Sequence, residues 1–117
     1  MDYQPYIDRL KREKEKTRSR NAVRRKAALR ASEELAKMLK TDFGVRNVWL
    51  FGSCLHEEYF HQRSDIDLGV KGLDPKLSLK ALYEVNARHH GFKVDLIELE
   101  TCDDFLRKKI LTEGREL

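Results

Sequence analysis

The N-terminal part of the chain carries apolar residues at helical spacing, but only in two separate stretches. The first stretch is a short stripe made of Tyr3, Tyr6, Ile7 and Leu10. Positions 11–20 contain no apolar residue, and helical spacing resumes over 22–39. Gly44 is then placed to end the helix. This pattern predicts a helical arm over 1–21 and a folded domain over 22–117.

Three short apolar runs follow this helix, and each predicts a strand. They cover about 46–51, 65–71 and 92–99. Asp74 and Pro75 are a helix N-cap and a first helical residue, which predicts a helix that stops before Gly91. Thr101 with Asp104 resembles a capping box and predicts a last helix. The order predicts an α/β (α+β) fold, in which a small mixed β-sheet has helices packed mainly on one face.

Acidic residues lie inside two of the predicted strands. Asp65 and Asp67 flank Ile66, and because alternate strand residues share a face, both carboxylates project together. Asp95 lies in the third apolar run. If the two strands are neighbours, three carboxylates converge, and each raises the pKa of the others unless a cation lies between them. Carboxylate oxygens with few other protein ligands suit Mg²⁺, and three acids can hold two such ions.

A Gly-Ser pair, Gly52 and Ser53, ends the first predicted strand. A strand that turns at such a pair leaves backbone N–H groups pointing outward, and glycine lets the backbone approach a ligand closely. The turn therefore suits a phosphate group, and the Ser53 hydroxyl adds a donor. The structural alternative is a plain turn beside a surface pair of acids. We favour the phosphate interpretation because the strand, the spacing and the third acid coincide.

These segments together resemble the DNA polymerase β-type nucleotidyltransferase superfamily. They are Leu50-Phe51-Gly52-Ser53, Ser64-Asp65-Ile66-Asp67-Leu68 and Val94-Asp95-Leu96. The resemblance covers about residues 30–117, and the short length points to the minimal branch, the MNT antitoxins that pair with HEPN-domain toxins.

The resemblance implies a role for each matching residue. Gly52 and Ser53 would hold the triphosphate of ATP. Asp65, Asp67 and Asp95 would be both the catalytic residues and the ligands of two Mg²⁺ ions. Asp95 would also help activate the attacking hydroxyl.

The loop after Ser53 departs from the family pattern. The segment between Ser53 and Asp65 is one residue longer than usual, and Cys54 stands where the family often has arginine. Glu57 and Glu58 follow in place of an Arg-Gly pair. We therefore expect Arg63 to supply the positive contact for the triphosphate.

The resemblance implies transfer of AMP from Mg-ATP to a tyrosine hydroxyl of a cognate HEPN ribonuclease toxin, which would neutralise the toxin. Two alternatives from other classes stay open. One is a non-catalytic antitoxin that acts by binding alone, suggested by the altered loop. The other is a nucleic-acid-binding module that uses the basic arm, with the acids vestigial.

Charge is unevenly spread along the chain. Residues 1–30 hold 11 basic and 4 acidic side chains, whereas residues 31–117 hold 13 and 16. The arm lacks aromatic residues interleaved with its charges beyond Tyr3 and Tyr6, so we expect a solvated helix that docks on a protein partner through its apolar stripe rather than on nucleic acid. A homo-oligomer stays open.

Composition also bears on the compartment. No apolar run approaches the roughly 18 residues of a membrane span. The N-terminus has no signal-peptide pattern, and the two cysteines, Cys54 and Cys102, lack zinc spacing. We expect free thiols and a cytoplasmic location.

Overall fold

The computed structural model describes residues 2–88 and 90–117. Met1 of the predicted arm and His89 near the end of the second predicted helix lie outside the described residues. The helices are α1 (Gln4–Phe43), α2 (Ser78–Ala87) and α3 (Asp104–Glu113), and the strands are β1 (Asn47–Phe51), β2 (Ile66–Lys71), β3 (Val94–Glu98) and β4 (Arg115–Glu116). Short 3-10 helices cover Gly52–Leu55 and Pro75–Leu77.

Helix α1 runs without interruption through the predicted arm and into the domain. It is 40 residues long, with Pro5 in its first turn, and it ends at Gly44, whose φ of 66° gives a left-handed C-cap. Residues 2–20 are all exposed. The buried face of α1 recurs at helical spacing and consists of Ala28, Ala31, Ser32, Leu35, Ala36 and Leu39. Only the second half of the helix is therefore part of the core.

The four strands form one mixed sheet in the order β3-β2-β1-β4. Strand β2 pairs antiparallel with β1 and parallel with β3. The register places Asp67 opposite Phe51 on one side and opposite Asp95 on the other. The two strands that carry the acids are thus neighbours, as the sequence argument required.

The first face of the sheet holds the main core. Helices α1 and α2 cover it, and the fully buried residues include Leu39, Leu50, Leu68 and Val85. Apolar burial on this scale is the dominant favourable term in folding a domain of this size. Two of the three helices therefore lie on one face, which confirms the predicted arrangement.

Helix α3 covers part of the second face. Its Ile110 packs with Trp49 and Leu99 in a smaller cluster. A Cβ added at Gly69 would lie 3.1 Å from Ile110 Cγ2, so the absence of a side chain at this strand position lets α3 approach closely. Asp67 lies two residues before Gly69 in β2, and Asp95 is its register partner in β3. Both acids therefore lie on the same face as this apolar contact, next to it along the strands.

The structure corrects the sequence analysis at the last helix. Thr101 does not cap it; Asp103 does, with its side chain accepting a hydrogen bond from the Leu106 N–H at 2.8 Å. Three acceptor residues lie close together here, so the spacing alone selected the wrong one. At the second helix, Asp74 does act as an N-cap, but the first turn is 3-10 and α2 ends at Ala87.

Strand β4 was not predicted. It is two residues long and pairs with β1 through Trp49 and Leu50. A segment this short cannot show the alternation by which a strand is recognised. Among the described residues, no helix combines the length and apolar character that a bilayer crossing requires. Cys54 and Cys102 are both free thiols.

We expect the two halves of α1 to differ in their contribution to stability. Leu39→Ala should lower the free energy of unfolding by about 2–5 kcal/mol, because it leaves a cavity in a fully buried site. Leu10→Ala, in the same helix, should change it by less than about 0.5 kcal/mol, because that side chain is partly exposed and outside the core. Urea denaturation of both variants measures this, and equal losses would contradict the assignment of the core.

Candidate functional site

The site begins with the parallel pairing of β2 and β3. Asp67 and Asp95 are register partners, so their side chains leave the sheet on the same face and side by side. Asp65 immediately precedes β2, and its charge acts on Asp67, as that of Asp95 does. The structure therefore brings Asp67 and Asp95 side by side, with Asp65 near them.

The Gly-Ser turn lies directly against one of these acids. Gly52 has a φ of 79°, which favours glycine, and a Cβ built on it would overlap the carboxylate of Asp67. The turn is reached from β1, whose last residue, Phe51, is the register partner of Asp67. Ser53 follows, and its carbonyl accepts the His56 N–H at 3.1 Å, which closes the turn. The two motifs are thus in van der Waals contact in the fold.

The environment of Asp67 disfavours its charged form. Burial, followed by the charge and hydrogen bond of Asp95 and the charge of Asp65, raises the pKa of Asp67 from 3.8 to about 6. Lys93 opposes this effect, with its Nζ 4.0 Å from Asp95 Oδ1. Both side chains of that ion pair are largely exposed, so it offsets little of the repulsion.

The loop before β2 fixes where Asp65 stands. The His61 N–H donates to Ser64 Oγ at 2.9 Å, and the Ser64 N–H donates back to the His61 carbonyl at 3.0 Å. Ser64 is buried, so this pair is shielded from water. Arg63 lies between them and is exposed, and its backbone N–H donates to His61 Nδ1. No contact between the Arg63 side chain and the turn appears in the described structure.

Cys54 is a packing residue rather than a reactive thiol. It is fully buried, and its Sγ donates to the Asp65 carbonyl at 3.4 Å. Burial, and then the charge of Asp67, raise the pKa of its thiol from 9.0 to about 11, although Arg25 and Arg24 act in the opposite direction. The thiol therefore stays protonated at neutral pH, and nucleophilic chemistry at Cys54 is not expected.

Two positioning residues were missed by the sequence analysis. Asn86 in α2 makes a two-sided contact with Val94, accepting its N–H at 2.9 Å and donating to its carbonyl at 3.0 Å. Because β3 is an edge strand, this contact occupies backbone groups that no strand pairs, and it steadies the residue before Asp95. Arg25 in α1 donates from Nε to the Cys54 carbonyl at 2.9 Å. Neither residue differs in sequence from an ordinary polar helix surface, so no pattern could have identified it.

The donor set suits a hard cation only in part. Within residues 2–88 and 90–117, no three His, Cys, Asp or Glu side chains are gathered closely enough to form a metal site by themselves. Burial and the charge of Asp95 instead raise the pKa of Asp67, which favours its protonated form. A cation that takes its other oxygens from phosphates and water would relieve the same repulsion, so the oxygen-only donor set fits Mg²⁺ with substrate.

Gly52→Ala should destabilise the protein more than the same change at Gly44. Both glycines have positive φ, at 79° and 66°, and an alanine there costs about 1–2 kcal/mol. At Gly44 nothing lies within 4 Å of the added Cβ, whereas at Gly52 it meets the Asp67 carboxylate. Denaturant unfolding of the two variants measures the extra cost of the contact between the added Cβ and the Asp67 carboxylate. Equal losses of unfolding free energy would show that Asp67 moves aside freely.

Asp67→Asn should change how stability depends on pH. Because the pKa of Asp67 is about 6 in the native state and 3.8 ordinarily, the native protein holds a proton that the unfolded chain has lost. The free energy of unfolding of the unsubstituted protein should therefore fall as pH rises from about 4 to about 6. Asn does not titrate, so the variant should be the more stable protein above pH 6, by at most about 1–2 kcal/mol after allowing for partial exposure.

Thermal unfolding in metal-free buffer between pH 4 and pH 8 measures this difference. Asp42→Asn is the matched control, since Asp42 is exposed and lies 3.6 Å from Arg88 in a surface ion pair. That control should leave the slope with pH unchanged. Parallel curves for Asp67→Asn and the unsubstituted protein would contradict the repulsion at this site.

Comparison with known proteins gives the family of this arrangement. A family model described as "Polymerase beta, Nucleotidyltransferase" matches residues 33–117. A toxin-antitoxin crystal structure with AMP-PNP is 24% identical with a TM-score of 0.61, covering 73% of this chain and 70% of the matched chain. The MntA-HepT toxin-antitoxin structure is 21% identical with a TM-score of 0.56, covering 74% and 68%.

A third solved structure is a tri-AMPylated Shewanella oneidensis HEPN toxin in complex with an MNT antitoxin. It is 20% identical with a TM-score of 0.57, and the match covers 76% of this chain and 70% of the matched one. No curated protein matches the chain. At these identities the solved structures establish a shared fold, and the family match spans most of the sequence. The chain therefore belongs to the polymerase beta nucleotidyltransferase family.

Proposed function

We propose that this chain is an antitoxin nucleotidyltransferase that transfers AMP from Mg-ATP to a tyrosine hydroxyl of a cognate HEPN ribonuclease toxin. The observation that carries the proposal is the register pairing of Asp67 with Asp95 beside the Gly52 turn. Support comes from the fold shared with an MNT antitoxin whose HEPN partner is tri-AMPylated, and with a toxin-antitoxin structure that holds AMP-PNP.

In this proposal the turn and the acids bind different parts of the substrate. Gly52 and Ser53 receive the β- and γ-phosphates, because a turn without a Cβ lets phosphate oxygens approach the backbone N–H groups. Arg63, exposed in the loop before β2, is the cation predicted for the same phosphates. The reacting α-phosphate then lies between the turn and the carboxylates.

The proposed reaction is an in-line displacement at the α-phosphorus. The tyrosine oxygen forms a bond to that phosphorus, and the bond from the phosphorus to the oxygen that bridges to the β-phosphate breaks. Pyrophosphate leaves with the electron pair of that bond. Asp95 accepts the proton of the tyrosine hydroxyl, or orients the hydroxyl for attack, from its place on the edge strand β3.

Asp65, Asp67 and Asp95 would hold the Mg²⁺ ions. Bound there, Mg²⁺ supplies neutralising charge to the attacking and leaving oxygens. The raised pKa of Asp67 agrees with this assignment, since burial and the neighbouring carboxylates disfavour the ionised carboxylate, and a cation would favour it.

Asp65→Asn and Asp67→Asn should each abolish transfer, because each removes a charged oxygen ligand. Asp95→Asn should slow the chemical step by about 10²–10⁴-fold, the usual contribution of a general base. The assay combines the purified protein with labelled ATP, Mg²⁺ and a candidate HEPN toxin, to be sought first in the neighbouring reading frame, and it follows label on the toxin. Asp42→Asn, far from the acids, serves as the control and should transfer normally.

The variants also separate the alternatives. Full activity of Asp67→Asn would refute the metal assignment, and an Asp95→Asn defect limited to ATP affinity would make Asp95 a ligand only. A protein that neutralises its toxin without labelling it would be an antitoxin acting by binding alone. The loop with Glu57 and Glu58 after the turn is the feature that favours this second function.

A further inference from the structure

The phosphate end of the site lacks an evident cation in its own loop. A nucleoside triphosphate brings several negative charges to a cluster that already holds three carboxylates. The segment that follows the turn adds Glu57 and Glu58, and it contains no Lys or Arg before Arg63. The like charges raise the energy of the bound substrate unless a positive group lies close to the turn. A basic side chain of another element can supply such a group beside the one expected from Arg63.

Helix α1 places an arginine against the turn. Arg25 donates from Nε to the carbonyl of Cys54, the residue directly after Ser53, at 2.9 Å. This bond is partly buried, so its geometry is shielded from water. A guanidinium has five N–H donors in a planar fork, and this contact uses one of them. Within residues 2–88 and 90–117 the two terminal nitrogens of Arg25 make no hydrogen bond to protein.

The other cations near the site contact groups outside the turn or are exposed, although the buried Nε of Arg24 has no hydrogen-bond partner among the described residues. The guanidinium of Arg24 lies 4.2 Å from the ring centre of Phe92 and donates to the Gly91 carbonyl at 3.4 Å. Lys93 pairs with Asp95 and is exposed. Arg63 is exposed, and only its backbone is held. Arg25 is thus the cation that the described structure holds against the turn.

We propose that Arg25 binds the polyphosphate of the nucleoside triphosphate, using its terminal nitrogens while Nε anchors it to the Cys54 carbonyl. This inference rests on the proposed function for the place of the phosphates at Gly52 and Ser53. An arginine fork held at one nitrogen presents the others in a fixed direction, which suits two phosphate oxygens at once.

Arg25→Gln tests the proposal directly, with inorganic tripolyphosphate as the probe. Glutamine is as good a helix former as arginine, so α1 should persist. Calorimetric titration should show tripolyphosphate affinity lowered by about 10- to 100-fold, the range for losing charged hydrogen bonds. Affinity for ATP should fall in the same proportion, while affinity for AMP should change much less. The melting temperature of the variant shows whether its fold is intact.

Lys26→Gln is the matched control. It removes the same charge from the next, exposed residue of α1 and should leave tripolyphosphate affinity within about twofold, since exposed charges are screened by salt. Arg63→Gln tests the cation that the proposed function also places at the phosphates, and any loss of affinity there should add to the loss in Arg25→Gln rather than replace it. Arg25→Lys keeps the charge without the fork, so it should lose affinity for tripolyphosphate several-fold while binding AMP normally.

The outcomes are distinct. Unchanged tripolyphosphate affinity in a folded Arg25→Gln protein overturns the proposal, as does a loss confined to Arg63→Gln. An equal loss of ATP and AMP binding would mean that Arg25 only holds the turn in shape, and this also overturns it. If Arg25→Gln does not fold, Arg25→Lys decides, and normal affinity for both ligands overturns the proposal. Tripolyphosphate binding that depends on Arg25 supports it even where the protein transfers no AMP to the toxin, an outcome that refutes only the proposed function.

Discussion

The parallel pairing of β2 and β3 is the constraint on which the site depends. It fixes Asp67 opposite Asp95, and the backbone ladder holds them there. Neither acid can retreat by a register slip, because Ile66 and Val94, buried on the opposite face, would then turn toward solvent. The repulsion between the carboxylates is therefore a fixed property of the fold. It is relieved either by a proton, which the pKa of about 6 for Asp67 expresses, or by a cation.

Two glycines determine what packs closely at the two ends of the second face of the sheet. At one end Gly69 admits Ile110, so that α3 can close over Trp49. At the other end Gly52 admits the carboxylate of Asp67. The absence of a Cβ thus allows close helix packing at Gly69 and the close approach of a carboxylate at Gly52. Because α3 covers only the apolar end, the carboxylates keep access to a substrate.

The sequence was informative wherever one residue type meets a strict local requirement. The three longer strands, the left-handed Gly44 and the Gly52 turn all follow from local spacing, whereas Asp65, predicted within the second strand, lies just before it. The pairing of β2 with β3 was a condition of that argument rather than a result, since strand order is decided by packing across the whole sheet. The only support for this pairing from the sequence was that acidic residues inside apolar strands need a compensating cation, which neighbouring strands could share.

What the sequence left out has a common physical reason. Asn86 and Arg25 act on backbone carbonyls and N–H groups of distant segments, and such contacts leave no periodic signal. Strand β4 is too short to alternate, and Asp103 lies next to two other residues able to cap a helix. In each case the missing information lies in the three-dimensional packing and not in a local pattern of residue types.

Helix α1 joins the predicted arm, residues 1–21, to the predicted domain, residues 22–117, in one continuous helix. Its buried face carries the core from Ala28 onward, while residues 1–30 hold 11 basic and only 4 acidic side chains. Arg25 lies between these parts, one turn before the core and before residue 33, where the family match begins. The same helix that completes the core of the matched region thus also holds an arginine against the turn that follows β1. In our proposal the site draws part of its compensating charge from outside residues 33–117, because one continuous helix spans both parts.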